Sequence, residues 1–167
     1  MKEGAAKKVF NGISKIKFIG PDQFMMVSTA GETRYFNSRG ELHREDGPAV
    51  IDKRGNEQWF QEGLLHREGG PAVIEAVYFD PGYGQTKIAT GQHIMHWYQY
   101  GIRHREDGPA MIYPEQRSVW FPNGRDNDPV ERIVEGHSYW CINGEFVDPP
   151  EQQATQAAKP RDAASGP

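Results

Sequence analysis

Residues 59–74 read W-F-Q-E-G-L-L-H-R-E-G-G-P-A-V-I, and most of the remaining chain is a copy of them. Anchored on glycine, an aromatic residue stands four positions before Gly40, Gly63, Gly101, Gly124 and Gly144, as Phe36, Trp59, Trp97, Trp120 and Trp140. Three copies continue with His43-Arg44, His66-Arg67 and His104-Arg105, and Gly-Pro-Ala triplets then begin at Gly47, Gly70 and Gly108. The aromatic spacing is 23 residues from Phe36 to Trp59, 38 to Trp97, 23 to Trp120 and 20 to Trp140. The long interval is one repeat plus a 15-residue insertion. Self-similarity at a fixed period is the mark of a stacked repeat.

Within one copy, residues 56–61 carry adjacent aromatics and no helical period, Gly63 can supply a positive φ, and residues 71–75 form a short apolar run. That is strand, turn, loop, strand. Pro48, Pro71 and Pro109 mark strand starts, where a missing N–H need not break a ladder. The stretch D-K-R-G-N at residues 52–56 turns the chain back. A hairpin this small cannot bury its own apolar face, so copies must stack sideways. The expected fold is all-β: an elongated single sheet of stacked antiparallel hairpins, with the aromatic column as its core and the five glycines at its turns.

An aromatic, three residues, Gly, two residues and His at a 23-residue pitch resembles the MORN repeat and its bacterial variant, over roughly residues 30–147. The chain is more closely similar to the variant W-Y-x-x-G-x-L-H-R-x-x-G-P-A found in uncharacterised proteins of bacteriophages and large DNA viruses. It departs from ordinary MORN repeats after the histidine, where Arg-Glu-Asp before Gly-Pro-Ala replaces a short G-x-G. The resemblance implies a sheet that binds proteins or membranes and is not catalytic. If it reflects origin, it also implies a phage or viral protein that binds and modulates a host protein.

In chain order the reading gives a flexible N-terminus (1–12) and a β-repeat domain (13–148) made of a capping hairpin (13–34) and repeats (35–147). A tail at 149–167, without aromatics and rich in Ala, Gln and Pro, reads as disordered. The insertion at about 77–90 spells strand, turn, strand and carries Tyr78, Phe79 and Tyr83. It is read either as a protruding contact surface or as a lengthened hairpin folded onto the sheet.

The chain has 167 residues, a net charge of −4 and one cysteine, Cys141, which occupies the position of Phe60 and Tyr98 and reads as a packed thiol. It holds no run of about 20 apolar residues and no apolar stretch after its N-terminal lysines, and a single thiol suits a reducing compartment. Cytoplasm, of the cell or an infected host, is the expected location. Each H-R-E-D loop carries one positive and two negative groups, which argues against a nucleic-acid stripe. Lys2, Lys7, Lys8, Lys15 and Lys17 read as a solvated end, with an anionic-lipid contact as the alternative.

Neither metal, cofactor nor catalytic residues are expected. His93 and His96, three apart on a strand, point to opposite faces, and histidines of successive copies lie about 10 Å apart, beyond one ion's reach. Active sites occur once and gather unlike groups, whereas this pattern is triplicated. Two readings of His43, Arg44, His66, Arg67, His104 and Arg105 stand. In one, His66 and Arg67 close their own loop on backbone carbonyls and Glu68. In the other, the copies present a ladder to an extended partner. The expected partner is another protein, met through Tyr78, Phe79 and Tyr83 or through the His-Arg edge. Alternatives are peripheral binding to anionic lipid, sequestration of a nucleotide-like ligand between protomers by the Arg44, Arg67 and Arg105 column, and pairing of open sheet edges into a homodimer.

Overall fold

The computed structural model describes residues 12–81, 86–120 and 130–150, with 118–120 and 130–132 described by backbone alone. The expected N-terminal flexibility, the tail beyond residue 150, the tip residue Tyr83 and the glycine Gly124 lie outside the described residues.

Among the described residues every element is a strand. Strands β1 (Ile13–Phe18), β2 (Gln23–Ser28) and β3 (Thr33–Asn37) form an antiparallel meander. The first copy then adds β4 (Val50–Ile51) and β5 (Glu57–Gln58), and the chain bends at Trp59 into a small hairpin of β6 (Phe60–Gln61) and β7 (Leu64–Leu65). The second adds β8 (Val73–Phe79), β9 (Ile88–His96) and the small hairpin β10 (Tyr98–Gln99) with β11 (Ile102–Arg103). The third adds β12 (Met111–Tyr113), the hairpin β13 (Gln116–Trp120) with β14 (Val130–Val134), then β15 (His137–Ile142) and β16 (Glu145–Val147). The large sheet has ten strands in the order β1-β2-β3-β4-β5-β8-β9-β12-β15-β16 and is not closed into a barrel.

One turn recurs for a legible reason. S-T-A-G-E (28–32), N-S-R-G-E (37–41) and D-K-R-G-N (52–56) each place a short polar side chain first and a positive-φ glycine fourth. Asn37 Oδ1 accepts the N–H groups of Arg39 and Glu41, and Asp52 Oδ1 those of Arg54 and Asn56. Ser28 Oγ accepts the Glu32 N–H. Side chains of this kind close such turns on themselves.

The repeat register differs from the glycine-anchored one at two places. The first is Phe36. The residue whose N–H bonds the triplet alanine and whose carbonyl accepts from the loop histidine is Tyr35, then Trp59, then Trp97. Between the paired residues Asn37 and Glu41 the turn has three residues, one more than the two-residue turns Glu62-Gly63 and Tyr100-Gly101, so counting back from glycine lands on Phe36 instead of Tyr35. Phe36 faces the other side and is buried against Phe24, ring centroids 5.0 Å apart.

The second correction is Trp120, whose paired Gly124 lies outside the described residues. Trp120 lies on the inserted hairpin β13-β14, opposite Val130. The unit after Trp97 is instead the one at Trp140: the Arg105 N–H bonds the Cys141 carbonyl as Arg44 bonds Phe60 and Arg67 bonds Tyr98. The pairings of β8 with β9 beyond Ile74–Met95 and of β13 with β14 thus stand where the first copy has only the short 52–56 connection, and β13 comes against β8.

The core follows from the pairing. Along one face, Tyr35, Trp59, Trp97 and Trp140 alternate across the strands with Ala49, Ala72 and Ala110. Large beside small lets the row interdigitate. The alanines are fully buried while Trp59, Trp97 and Trp140 are half-buried, so the small residues fill the tightest positions. The opposite face carries Met26, Val50, Val73 and Met111, all buried. Cys141 is buried beside Ala110 and Met111, and burial pushes its thiol pKa up, as suits a packing residue.

Candidate functional site

The repeated loop is built around its arginine. The Arg44 guanidinium lies 4.1 Å from the Tyr35 ring centroid, Arg67 3.8 Å from that of Trp59, and Arg105 4.1 Å from that of Trp97. Each also donates through Nη1 to the proline carbonyl four residues on, at 3.5 Å for Pro48, 3.1 Å for Pro71 and 3.2 Å for Pro109. In the first and third copies Nε donates to Asp46 and Asp107, both at 2.8 Å. These bonds hold both carboxyls below the usual aspartate range. The second copy has Gly69 at that position.

The glycine before each proline is there for space. A Cβ at Gly47 would stand 2.8 Å from Arg44 Cζ, at Gly70 3.1 Å from Arg67 Cζ, and at Gly108 2.6 Å from Arg105 Cζ. A Cβ there would push the guanidinium from its place between glycine and ring, most at Gly108 and least at Gly70.

The histidines link one copy to the next through Nδ1, while Nε2 of His43 and His104 faces Glu45 and Glu106 of the same loop at 3.8 and 3.5 Å. His43 Nδ1 accepts the Glu62 N–H at 3.2 Å, His66 Nδ1 the Tyr100 N–H at 3.3 Å, and His104 Nδ1 the Asn143 N–H at 3.2 Å. Glu62, Tyr100 and Asn143 have φ of 50°, 47° and 50°, each followed by a positive-φ glycine, as a tight hairpin turn with both central residues left-handed requires. The next residue adds a second link: Gly63 N–H to Leu42 O, Gly101 N–H to Leu65 O and Gly144 N–H to Arg103 O, at 2.8–2.9 Å. Each loop histidine therefore fastens the hairpin tip of the following copy. For His66 the expected self-closure on carbonyls is replaced by this link, strengthened by a stack on Tyr100 at 4.2 Å.

With histidine and arginine turned inward, the carboxylates face out. The side chains of Glu45, Asp46, Glu106 and Asp107 are 77%, 83%, 83% and 84% exposed, whereas those of His43, Arg44, His104 and Arg105 are 12%, 23%, 11% and 21% exposed. Glu68 is also exposed. Grooves of about 410 and 490 Å³ run between neighbouring loops.

The inserted aromatics sit elsewhere. Tyr78 and Phe79 are half-buried on β8, and the Tyr78 hydroxyl donates to the Arg54 carbonyl at 3.0 Å. β8 and β9 pair from Val73–His96 to Phe79–Ile88, with a register shift between Ala76 and Tyr78. His93 pairs with Ala76 and His96 with Val73, on opposite faces of β9. The described residues contain no group of three or more metal-ligating side chains and no helix long and apolar enough to cross a membrane. Reasoning from the sequence missed the arginine-aromatic stacks and the grooves. The recurring Arg-x-x-Gly spacing was the available signal for the first. Searched against protein-family models, curated proteins and solved structures, the chain finds no match.

Proposed function

We propose that this protein is a non-enzymatic β-repeat module that binds another protein through its row of three His-Arg loops. The observation that carries the reading is the placement of three equivalent loops side by side on one sheet face, each with its own cation spent internally and its carboxylates presented. A repeated surface suits an extended partner better than a compact ligand. The arginine column is engaged in stacking and hydrogen bonding, which disfavours it as a nucleotide site. The phage or viral setting, with a host protein as the target, rests on the MORN-like resemblance alone.

The test is affinity capture from cytoplasmic lysate, read by mass spectrometry, with the intact protein beside a Glu45→Gln/Glu68→Gln/Glu106→Gln variant. A protein held by the first and released by the second is the expected result. A protein retained by the variant but lost on shortening the 75–94 hairpin would move the interface to that hairpin. Capture of nothing would end the reading.

A further inference from the structure

The two grooves are copies of one another. The first is lined by Arg44, Glu45, Trp59 and Glu68, among others, and the second by Arg67, Trp97, Glu106 and Asp107. Trp59 stands in the first where its counterpart Trp97 stands in the second, and each groove is flanked by the arginine of the preceding loop. Both insertions lengthen hairpins at the far ends of the strands, so they leave the groove pitch untouched. That pitch is two strand spacings, about 9.4–9.8 Å.

A ligand that repeats in step with this pitch is strongly constrained. A β-strand brings side chains to one face about every 6.7 Å, and an α-helix turns every ~5.4 Å. A polyproline II helix has three residues per turn and rises ~3.1 Å per residue, so residues i and i+3 share a face about 9.3 Å apart. Grooves walled by aromatic rings are also the usual seats for such helices, whose conformation is largely formed before binding. Each groove holds two arginines and two carboxylates, but the carboxylates stand outermost, Glu45 and Glu106 being 77% and 83% exposed against 23% and 21% for Arg44 and Arg105, so the charge an approaching ligand meets first is negative and suits a cation.

We propose that the paired grooves seat a proline-rich segment of a partner protein in the polyproline II conformation, with a lysine at every third position, one ammonium per groove. This rests on the protein-binding reading above and narrows it to one class of partner. Prolines lie against the indole edges and the ammonium groups meet the loop glutamates.

The experiment is fluorescence anisotropy of the intact protein with two labelled peptides, four repeats of Lys-Pro-Pro and four of Lys-Pro-Pro-Pro. They carry equal charge and differ in period. The period-three peptide is expected to bind about ten-fold more tightly. The Glu45→Gln/Glu68→Gln/Glu106→Gln variant, with its thermal transition unchanged, is expected to weaken it about five-fold or more. Equal affinity for the two peptides, an unchanged affinity in the variant, or no binding at millimolar peptide would overturn the proposal. If the peptides fail while a lysate protein is still captured and is lost with the variant, the polyproline class falls and protein binding stands. If both fail, both readings fall.

Discussion

At the scale of single residues, the loop arginine and loop histidine do different work although they are adjacent in sequence. Arg105 closes its own loop, so Gly108→Ala, which puts a Cβ 2.6 Å from its Cζ, should force the guanidinium off Trp97. The expected loss is about 1–3 kcal/mol of unfolding free energy, as for other overpacked sites, measured by urea denaturation. His66 fastens the next copy, so His66→Ala should cost about 1 kcal/mol and speed amide exchange at Tyr100 and Gly101 while sparing Glu62. Acceleration at Glu62 to the same degree would show that the links are not local.

Proton linkage belongs to this scale too. His96 has a lowered pKa, first because it is partly buried and then because Arg103 is near. The folded state therefore resists a proton that the unfolded chain accepts, and stability falls as pH drops below the unfolded value of about 6.5. His96→Phe should flatten unfolding midpoints measured between about pH 7.5 and 5. Asp46 and Asp107 are depressed by their arginines, so their contribution is present above about pH 3.9 and fades as pH falls through their folded values.

At the scale of elements, the unit is a main-sheet hairpin joined to a small hairpin that leans on the preceding copy. The connection at 52–56 shows the shortest form the main-sheet hairpin takes. Replacing residues 75–94 with D-K-R-G-N should therefore keep the ladder from Val73 to His96 and from Ile74 to Met95. The cost should be about 2 kcal/mol from lost burial of Val77, with tryptophan emission unchanged. A red-shifted emission would mean that the long hairpin also supports the Trp97 row.

For the whole molecule, an open sheet must protect its edges. At the N-terminal side β1 exposes Lys15 and Lys17, a charge placement that discourages pairing with another chain, while Phe24 and Met26 of β2 pack against Phe36. A chain beginning at residue 32 would bare Phe36 and the β3 edge. It should elute as a dimer or larger species in size-exclusion chromatography with light scattering at micromolar concentration, where the full chain serves as reference.

The sequence by itself determined the class of fold, because aromatic, glycine, histidine and Gly-Pro-Ala recur at positions where only strand, turn, loop and strand satisfy the backbone. It also determined the self-closing turns, since Asn37 and Asp52 reach their own backbone partners within five residues. What it could not fix was the register between copies. Phe36 and Tyr35 are equally aromatic, and Trp120-x-x-x-Gly124 has the spacing of a repeat although Trp120 lies on an added hairpin. Only pairing across the sheet separates such candidates, because equivalence is set by which carbonyl each N–H meets. The direction of the loop side chains was likewise a tertiary decision. A histidine beside an arginine can bond within its loop or to a neighbour, and the choice was made when the next hairpin tip arrived within about 3.3 Å of His66 Nδ1. With histidine and arginine both drawn inward, the acids were left as the outer surface.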